Sequence, residues 1–273
     1  LQIKPTGMAD QTDIPGAESA LPMLLAKTSN LVTNYVDVDE HQALAVALWV
    51  AHTYCIDGAQ FTPRLLITAP VKRVGKTTLL GVVRATAFKA LSASSVTSGS
   101  VFRVIAEERP TLLIDEADRT LGPRSDITTI LNAGFSRFSS TVLRADVRRA
   151  TQKFDAFGPV ALAMIGKPEE TLLDRSIVVQ MRPRRPGKAL KPLWLPELEA
   201  AAAPLKNGFS MLSQSLAMEI PRLGLARVEG LDDRAADLWS PLLAIAAIGG
   251  PDLHARAVRS AHELSHARAA EAD

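Results

Sequence analysis

The chain has 273 residues, of which 47% are hydrophobic and 22% are charged, so its composition excludes a disordered or collagen-like protein. The 31 Lys and Arg residues nearly balance the 29 Asp and Glu residues, and a net charge of +2 does not by itself require a nucleic-acid partner. A single cysteine, Cys55, excludes an internal disulfide and a Cys-rich zinc site. The longest uncharged stretch, 41–56, is too short to span a membrane, and the N-terminal residues lack a signal-peptide pattern. We therefore expect a soluble, cytoplasmic protein without a membrane partner.

Hydrophobic spacing divides the chain into three parts. Residues 1–35 are predicted to form an N-terminal arm that ends in a short helix over 21–35. Residues 36–190 alternate apolar strands with amphipathic helices, which is typical of an α/β core with a parallel sheet flanked by helices. Residues 191–273 are rich in Ala and Leu and are predicted to form an all-helical C-terminal lid domain. The predicted strands are 64–69, 111–115, 141–144, 153–157, 159–165 and 176–181, with 92–100 a loop or weak edge strand, and the predicted helices of the core are 40–54, 76–91, 101–108 and 126–132.

A phosphate-binding loop (P-loop, or Walker A motif) is predicted between the first strand and the helix that follows it. Backbone N–H groups of the loop and the N-terminus of the helix would face the phosphates, and Gly75 permits the tight turn. The ammonium of Lys76 would reach the β- and γ-phosphates, and the Thr77 hydroxyl would ligate Mg²⁺. The usual pattern begins with Gly where this chain has Pro70, but later residues form most of such a loop. The predicted nucleotide-binding residues of this loop are Pro70, Val71, Lys72, Arg73, Val74, Gly75, Lys76, Thr77 and Thr78.

Two acids at the end of the strand 111–115 are typical of a Walker B motif. Asp115 would hold Mg²⁺ directly or through water, and Glu116 would orient and polarise the attacking water. The alternative is a strand that ends in ordinary surface acids, and the P-loop upstream makes that alternative weak. The letters DEAD at 115–118 also occur in DEAD-box helicases, but the chain after residue 181 is too short for the second RecA-like domain that those enzymes need.

Two arginines are further candidates. Arg175 lies between two predicted strands, where ring-forming P-loop ATPases place an arginine that stabilises the γ-phosphate charge in a neighbouring subunit. Its alternative role is a surface ion pair with Asp174. Arg234 begins a helix of the predicted lid and is a further nucleotide-binding candidate, and its alternative is a solvated arginine on a capped helix.

Basic residues form two local groups that could follow the phosphate backbone of DNA. The alternative for the first group is a Pro-rich linker that stays solvated. The first group comprises Arg182, Arg184, Arg185, Lys188 and Lys191, and the second comprises Arg144, Arg148 and Arg149.

From about Asp39 to Ile248, the chain resembles a bacterial domain family of unknown function that occurs in phage, plasmid and other mobile-element proteins. That family is itself similar to AAA+ ATPases. The resemblance implies an AAA+-like P-loop NTPase fold, nucleotide binding and hydrolysis, and a role with DNA beside primase- or helicase-like modules. It is carried by the stretches 43–52, 62–65, 75–80, 101–103, 109–118, 130–132, 174–178, 234–237 and 241–245.

Motifs and resemblance together predict Mg²⁺-dependent ATP binding and hydrolysis that drives DNA remodelling or unwinding in mobile-element replication. Glu116, Lys76 and Arg175 are the expected catalytic residues, and Thr77 and Asp115 the expected metal ligands. The expected partners are ATP, Mg²⁺, DNA, further copies of the chain in a ring, and replication proteins of a mobile element. Two alternatives stay open: a nucleotide-gated binding module with little turnover, and a small-molecule P-loop kinase that transfers phosphate to an acceptor other than water.

Overall fold

In the computed structural model of the chain, the described residues are 17–93, 98–122, 125–146, 149–224 and 228–272. Helices occupy the N-terminal and C-terminal parts, and strands alternate with helices between them. The strands are β1 (Arg64–Ala69), β2 (Ala90–Ala93), β3 (Thr111–Ile114), β4 (Thr141–Asp146), β5 (Arg149–Asp155), β6 (Val160–Ile165) and β7 (Ser176–Gln180). The helices are α1 (Ala17–Tyr35), α2 (Glu40–Tyr54), α3 (Lys76–Thr86), α4 (Ser98–Glu108), α5 (Asp126–Ala133), α6 (Glu170–Leu173), α7 (Leu195–Leu223), α8 (Asp233–Ile248) and α9 (Pro251–Ala272).

Five strands form one parallel sheet in the order β2-β3-β6-β1-β7. Parallel strands need helical crossovers that cover both faces of the sheet, which explains why β1, β3 and β6 are nearly continuous apolar runs. The five strands of this sheet point the same way. Their last residues therefore lie at one edge, which we call the carboxyl edge, and their first residues lie at the opposite edge, the amino edge. Only β6 separates β1 from β3, so the segments that follow these two strands are near neighbours.

The sheet packs against two hydrophobic cores. Along β1, Leu65 and Ile67 face one core and Leu66 faces the other, as the two-residue period of a strand requires. The first core contains residues of α1, α2, α3 and α7 to α9, and the second contains residues of α4, α5 and α6. The C-terminal helices therefore share a core with the N-terminal helices. No helix within the described ranges is both long and apolar enough to cross a membrane.

The predicted α/β class is confirmed: a five-stranded parallel sheet is flanked by helices and followed by a helical C-terminal region. Several element bounds differ from the sequence prediction, and three of these differences have a clear physical origin. α1 begins at Ala17, within the stretch predicted to be a loose arm, because its apolar residues pack against α2 and α7. α3 ends at Thr86 because the chain turns there to start β2 at the sheet edge. Among the described strands, β4 and β5 pair with each other, as an antiparallel hairpin separate from the parallel sheet. The predicted arm before residue 17 lies outside the described residues.

Helix α2 lies almost entirely inside the first core. A capping box at its start joins the Asp39 carboxylate to the Gln42 N–H at 2.8 Å and the Gln42 side chain to the Asp39 N–H at 3.3 Å. Near its end His52 is fully buried, with Nε2 3.1 Å from the Thr62 hydroxyl oxygen. Burial, reinforced by the nearby charge of Arg64, lowers the pKa of His52 to about 3.

Acid should destabilise the protein through His52. The unfolded chain takes up a proton at His52 near pH 6.5, whereas the folded chain resists it until about pH 3. The free energy of unfolding should therefore fall as the pH is lowered through this window, by up to about 1.4 kcal/mol per pH unit from this group.

Urea denaturation of the His52→Gln variant between pH 4 and pH 7 measures this contribution. The variant should lose that part of the pH dependence, while His266→Gln, a change at an exposed position of α9, should keep it. An unchanged pH dependence in His52→Gln would contradict the assignment.

Candidate functional site

The turn between β1 and α3 presents backbone N–H groups at the carboxyl edge. Arg73 and Gly75 adopt positive φ angles of 65° and 94°, which bend the loop back on itself before α3 begins. The first bond within α3 runs from the Leu79 N–H to the Gly75 carbonyl at 2.9 Å. The N–H groups of residues 76–78 precede it and have no partner within the helix, and Gly75 offers no side chain to cap them. Such a helix start is suited to an anion.

A hydrogen bond joins this loop to the end of β3. The Thr77 hydroxyl donates to Asp115 Oδ2 at 2.9 Å, and Asp115 Oδ1 accepts the N–H of Glu116 at 2.8 Å. Lys76 Nζ donates to the Val71 carbonyl at 3.3 Å, across the mouth of the loop. The structure thus brings together Lys76, Thr77 and Asp115, three residues that the sequence assigned to phosphate and metal binding.

Glu116 lies in a tight turn after β3. Its backbone adopts a left-handed conformation with φ 50°, and its carboxylate pairs with Arg119 at 2.6 Å. Both side chains are mostly exposed, so the pair contributes little stability and exchanges easily. Asp118 anchors the turn, because its Oδ1 accepts the N–H of Ile165 at the end of β6, at 3.1 Å. Glu116 is therefore held next to Asp115 at the carboxyl edge, with its carboxylate on Arg119.

The oxygens of Thr77 and Asp115 could serve a hard divalent cation. Hydroxyl and carboxylate oxygens suit Mg²⁺, which usually takes one or two protein ligands and completes its shell with phosphate and water. The part of the chain that the structure describes contains no cluster of three or more His, Cys, Asp or Glu side chains able to hold a metal by themselves. The donor set thus fits a cation that arrives with a phosphate ligand.

A cavity of about 660 Å³ opens beside the loop. Its walls are residues 73–78, residues 35–37 at and just after the end of α1, and members of the segment 182–193, which we call the basic segment. Pro70, Val71 and Lys72 are exposed at the start of the loop and do not line it. The cations that line the cavity are Arg73, Lys76, Arg182, Arg184 and Lys191, and the acid that lines it is Asp37.

The negative charge of Asp37 in this wall is balanced by an ion pair with Arg185. The Asp37 side chain is 6% exposed and accepts hydrogen bonds from the side chain and the backbone N–H of Arg185. These bonds lower the pKa of Asp37 to about 2. The cavity consequently presents positive charge and is suited to a polyanion.

The basic segment crosses from β7 to α7 along the cavity. The Lys191 N–H donates to the Asn34 carbonyl of α1 at 2.8 Å, and Leu193 packs against Gly81 of α3. The sequence predicts either a DNA contact or a solvated linker for these basic residues and does not indicate their place beside the P-loop. That place depends on the strand order, which the sequence does not give: a segment that follows a parallel neighbour of β1 must start at the same edge as the P-loop. In the second basic group, Arg148 and the side chains of Arg144 and Arg149 lie outside the described part of the chain.

Arg175 lies at the opposite edge of the sheet. It directly precedes β7, whose first residue, Ser176, is in register with Arg64 at the start of β1. The P-loop follows the other end of β1, so at about 3.3 Å per residue the six-residue strand separates the two by roughly 20 Å. The structure does not bring Arg175 to the P-loop of its own chain.

Arg234 lies near Arg175. It is in the first turn of α8, which Asp232 caps by accepting the Ala235 N–H at 2.7 Å. Burial, and then the nearby charge of Arg234, lower the pKa of Arg175, while Asp174 acts in the opposite direction. Arg234 is absent from the described lining of the cavity. Neither of the two predicted arginines is thus among the described residues that line the cavity.

A comparison with known protein families finds a match for the C-terminal region of the chain. Residues 180–273 match a family described as a protein of unknown function (DUF3631). The match begins at the end of β7, covers the basic segment and α7 to α9, and leaves out the P-loop and the acids after β3. No curated protein matches the chain. A domain of unknown function is therefore found at residues 180–273, which overlaps only the C-terminal end of the expected resemblance over 39–248. The P-loop ATPase relationship and the mobile-element origin stay predictions.

Proposed function

We propose that the protein binds ATP with Mg²⁺ in the cavity lined by residues 73–78 and hydrolyses it to ADP and phosphate. The observation that carries the proposal is the hydrogen bond of 2.9 Å from Thr77 to Asp115. It joins the turn before α3, whose N–H groups have no partner within the helix, to the acidic end of β3, beside the cationic cavity. Hydrolysis of a nucleotide requires groups that bind the phosphates, the cation and the attacking water to lie close together.

The cavity supports binding of a nucleoside triphosphate. Its volume of about 660 Å³ lies within the usual range for small-molecule sites. The N–H groups at the start of α3 and the ammonium of Lys76 would contact the phosphates. The basic segment and the end of α1 leave space beside them for the sugar and base.

Thr77 and Asp115 would hold Mg²⁺, since their oxygens already lie within hydrogen-bond distance of each other. Bound there, the ion would neutralise part of the negative charge on the phosphates.

Glu116 would act on the attacking water. Its carboxylate accepts a proton from the water while the water oxygen forms a bond to the γ-phosphorus and the bond from that phosphorus to the ADP oxygen breaks. For this Glu116 must leave Arg119, and the exposure of both side chains makes the exchange inexpensive. Lys76 would stabilise the charge on the transferred group.

A binding module with slow turnover is the second candidate, and two observations favour it. Glu116 is paired with Arg119 and is not among the described residues that line the cavity, and Arg175 lies at the far edge of the sheet in the same chain. A single copy would then bind ATP firmly and hydrolyse it slowly until both features change.

We also propose that the energy of hydrolysis remodels DNA in the cytoplasm during replication of a mobile element. The proposed role with DNA is supported by the primase- and helicase-like modules that accompany domains of the resembling family in other proteins. The lone cysteine, Cys55, is buried and unpaired, as is common in a reducing compartment. ATP turnover with and without single- and double-stranded DNA tests the choice of substrate: stimulation by DNA supports it, and indifference to DNA at all protein concentrations opposes it.

Lys76→Ala should weaken ATP binding about 10- to 100-fold, because charge-assisted hydrogen bonds to the phosphates are lost. Titration calorimetry with ATP and Mg²⁺ measures the change. Lys206→Ala on the exposed face of α7 removes the same charge away from the cavity and should leave the affinity intact. Equal affinities for all three proteins would refute the P-loop assignment.

Glu116→Gln should keep ATP affinity and reduce turnover about 100-fold or more, because the amide cannot accept the proton of the water. Phosphate release at saturating ATP measures turnover, and Glu107→Gln on the exposed face of α4 is the matched control. Wild-type turnover in Glu116→Gln would remove the residue from the catalytic step.

A further inference from the structure

The cavity beside the P-loop extends away from the acids that follow β3. Residues 73–78 and members of the basic segment line it, but neither Asp115 nor Glu116 is among its described lining. The strand order explains this, because β3 lies on one side of β1 and β7, which leads into the basic segment, lies on the other. A triphosphate whose last phosphate reaches Asp115 through Mg²⁺ therefore directs its nucleoside toward the basic segment. We call that part of the cavity the nucleoside end.

Two arginines of the basic segment remain unused by the proposed function. Arg182 and Arg184 both line the cavity, and both residues are exposed. The ion pairs that the described residues form in this segment are those of Arg185 with Asp37 and of Lys191 with Glu197, and neither involves these two guanidinium groups. The nucleoside of ATP carries no negative charge. Bound ATP would therefore leave positive charge without an anion at the nucleoside end.

The backbone that carries these arginines is fixed to the rest of the site. Directly after Arg184, the Arg185 N–H donates to Asp37 Oδ2 at 2.8 Å, and the Arg185 guanidinium bonds both oxygens of the same carboxylate. Further along, the Lys191 N–H donates to the Asn34 carbonyl at 2.8 Å. A fixed backbone reduces the ordering that binding requires, so guanidinium groups carried on it bind an anion at lower entropic cost.

A second cavity, of about 440 Å³, shares part of its wall with the first. Arg182 and Asp37 line both cavities, and the second continues between the start of α2, the end of β7 and α9. Arg182 therefore lies where the two cavities meet. An anion bound there has space beyond it for a further chemical group.

The concave shape of the site favours a small ligand over a polynucleotide. Cations that follow the backbone of a nucleic acid are spread along a surface, in step with its many phosphates. Arg182 and Arg184 instead line one cavity of about 660 Å³, a size typical of small-molecule sites. The planar guanidinium group matches the geometry of a phosphate, to which it can donate two hydrogen bonds. A single phosphate at the nucleoside end would therefore suit both arginines.

We infer that Arg182 and Arg184 form a second phosphate site, which binds a phosphate group on the ribose of the nucleotide whose 5′-phosphates lie at the P-loop. This inference rests on the proposed ATP site. The ligand that it specifies is a nucleotide with phosphate groups on both sides of its sugar. The ribose phosphate is either terminal or links the nucleotide to a second nucleoside in the adjoining cavity.

Titration calorimetry with Mg²⁺ tests the second site by comparing ADP with ADP that carries a further phosphate on the 2′- or the 3′-oxygen. One of the two isomers should bind the wild type about 10- to 100-fold more tightly than ADP, because charge-assisted hydrogen bonds to the arginines are gained. Arg182→Ala and Arg184→Ala should each reduce this gain at least about fivefold and leave the affinity for ADP within about twofold.

A third ligand distinguishes the two sources of the ribose phosphate. ADP linked through a 3′-phosphate to a second adenosine should bind at least as tightly as the terminally phosphorylated form if the adjoining cavity holds the second nucleoside. Weaker binding than that form, but tighter than ADP, assigns the site to a terminal phosphate. Either result supports a second phosphate site.

Arg103→Ala is the matched control, because it removes the same charge from an exposed position of α4 outside the described lining of both cavities. This variant should keep the full gain in affinity from the ribose phosphate. Thermal melting of each variant confirms that it is folded.

The outcomes separate this inference from the proposed function. A wild type that binds neither ATP nor ADP refutes the ATP site and the inference with it. A wild type that binds ADP but gains no affinity from a ribose phosphate refutes the inference alone, as does a gain that persists in both arginine variants. Loss of DNA affinity in both variants, without any gain from a ribose phosphate in the wild type, would assign the arginines to DNA and also refute it.

Discussion

The arrangement of the site depends on one constraint, the placement of β1 and β3 on either side of β6 in a parallel sheet. Parallel strands end at the same edge, so the turn after β1 and the acids after β3 must meet there. The hydrogen bond between Thr77 and Asp115 is the direct result. The buried apolar strands fix this relation, because a slip of one residue would turn their side chains to the wrong core.

Much of this could be predicted from the sequence. Short apolar runs with proline or glycine at their ends marked the main strands within a residue or two, and the spacing of Gly75, Lys76 and Thr77 marked the loop. The pairing of β4 with β5 and the start of α1 could not be predicted, since both depend on which surface is left to pack against. The place of the basic segment could not be predicted for the same reason. Its charges are also typical of a solvated linker, and the strand order is what brings them beside the P-loop.

The placement of Arg234 shows the same limit at the other edge. Sequence identified a capped helix start, and the cap by Asp232 is present. Its position near Arg175 comes from the way α8 packs in the core that all C-terminal helices share with α1 and α2. No local pattern encodes that packing.

The most direct test of the account is a crystal structure of the protein with a non-hydrolysable ATP analogue and Mn²⁺ in place of Mg²⁺. The account predicts phosphate oxygens against the N–H groups of residues 76–78 and anomalous density for Mn²⁺ between Thr77 and Asp115. An analogue bound elsewhere, or a metal away from these two oxygens, would contradict it.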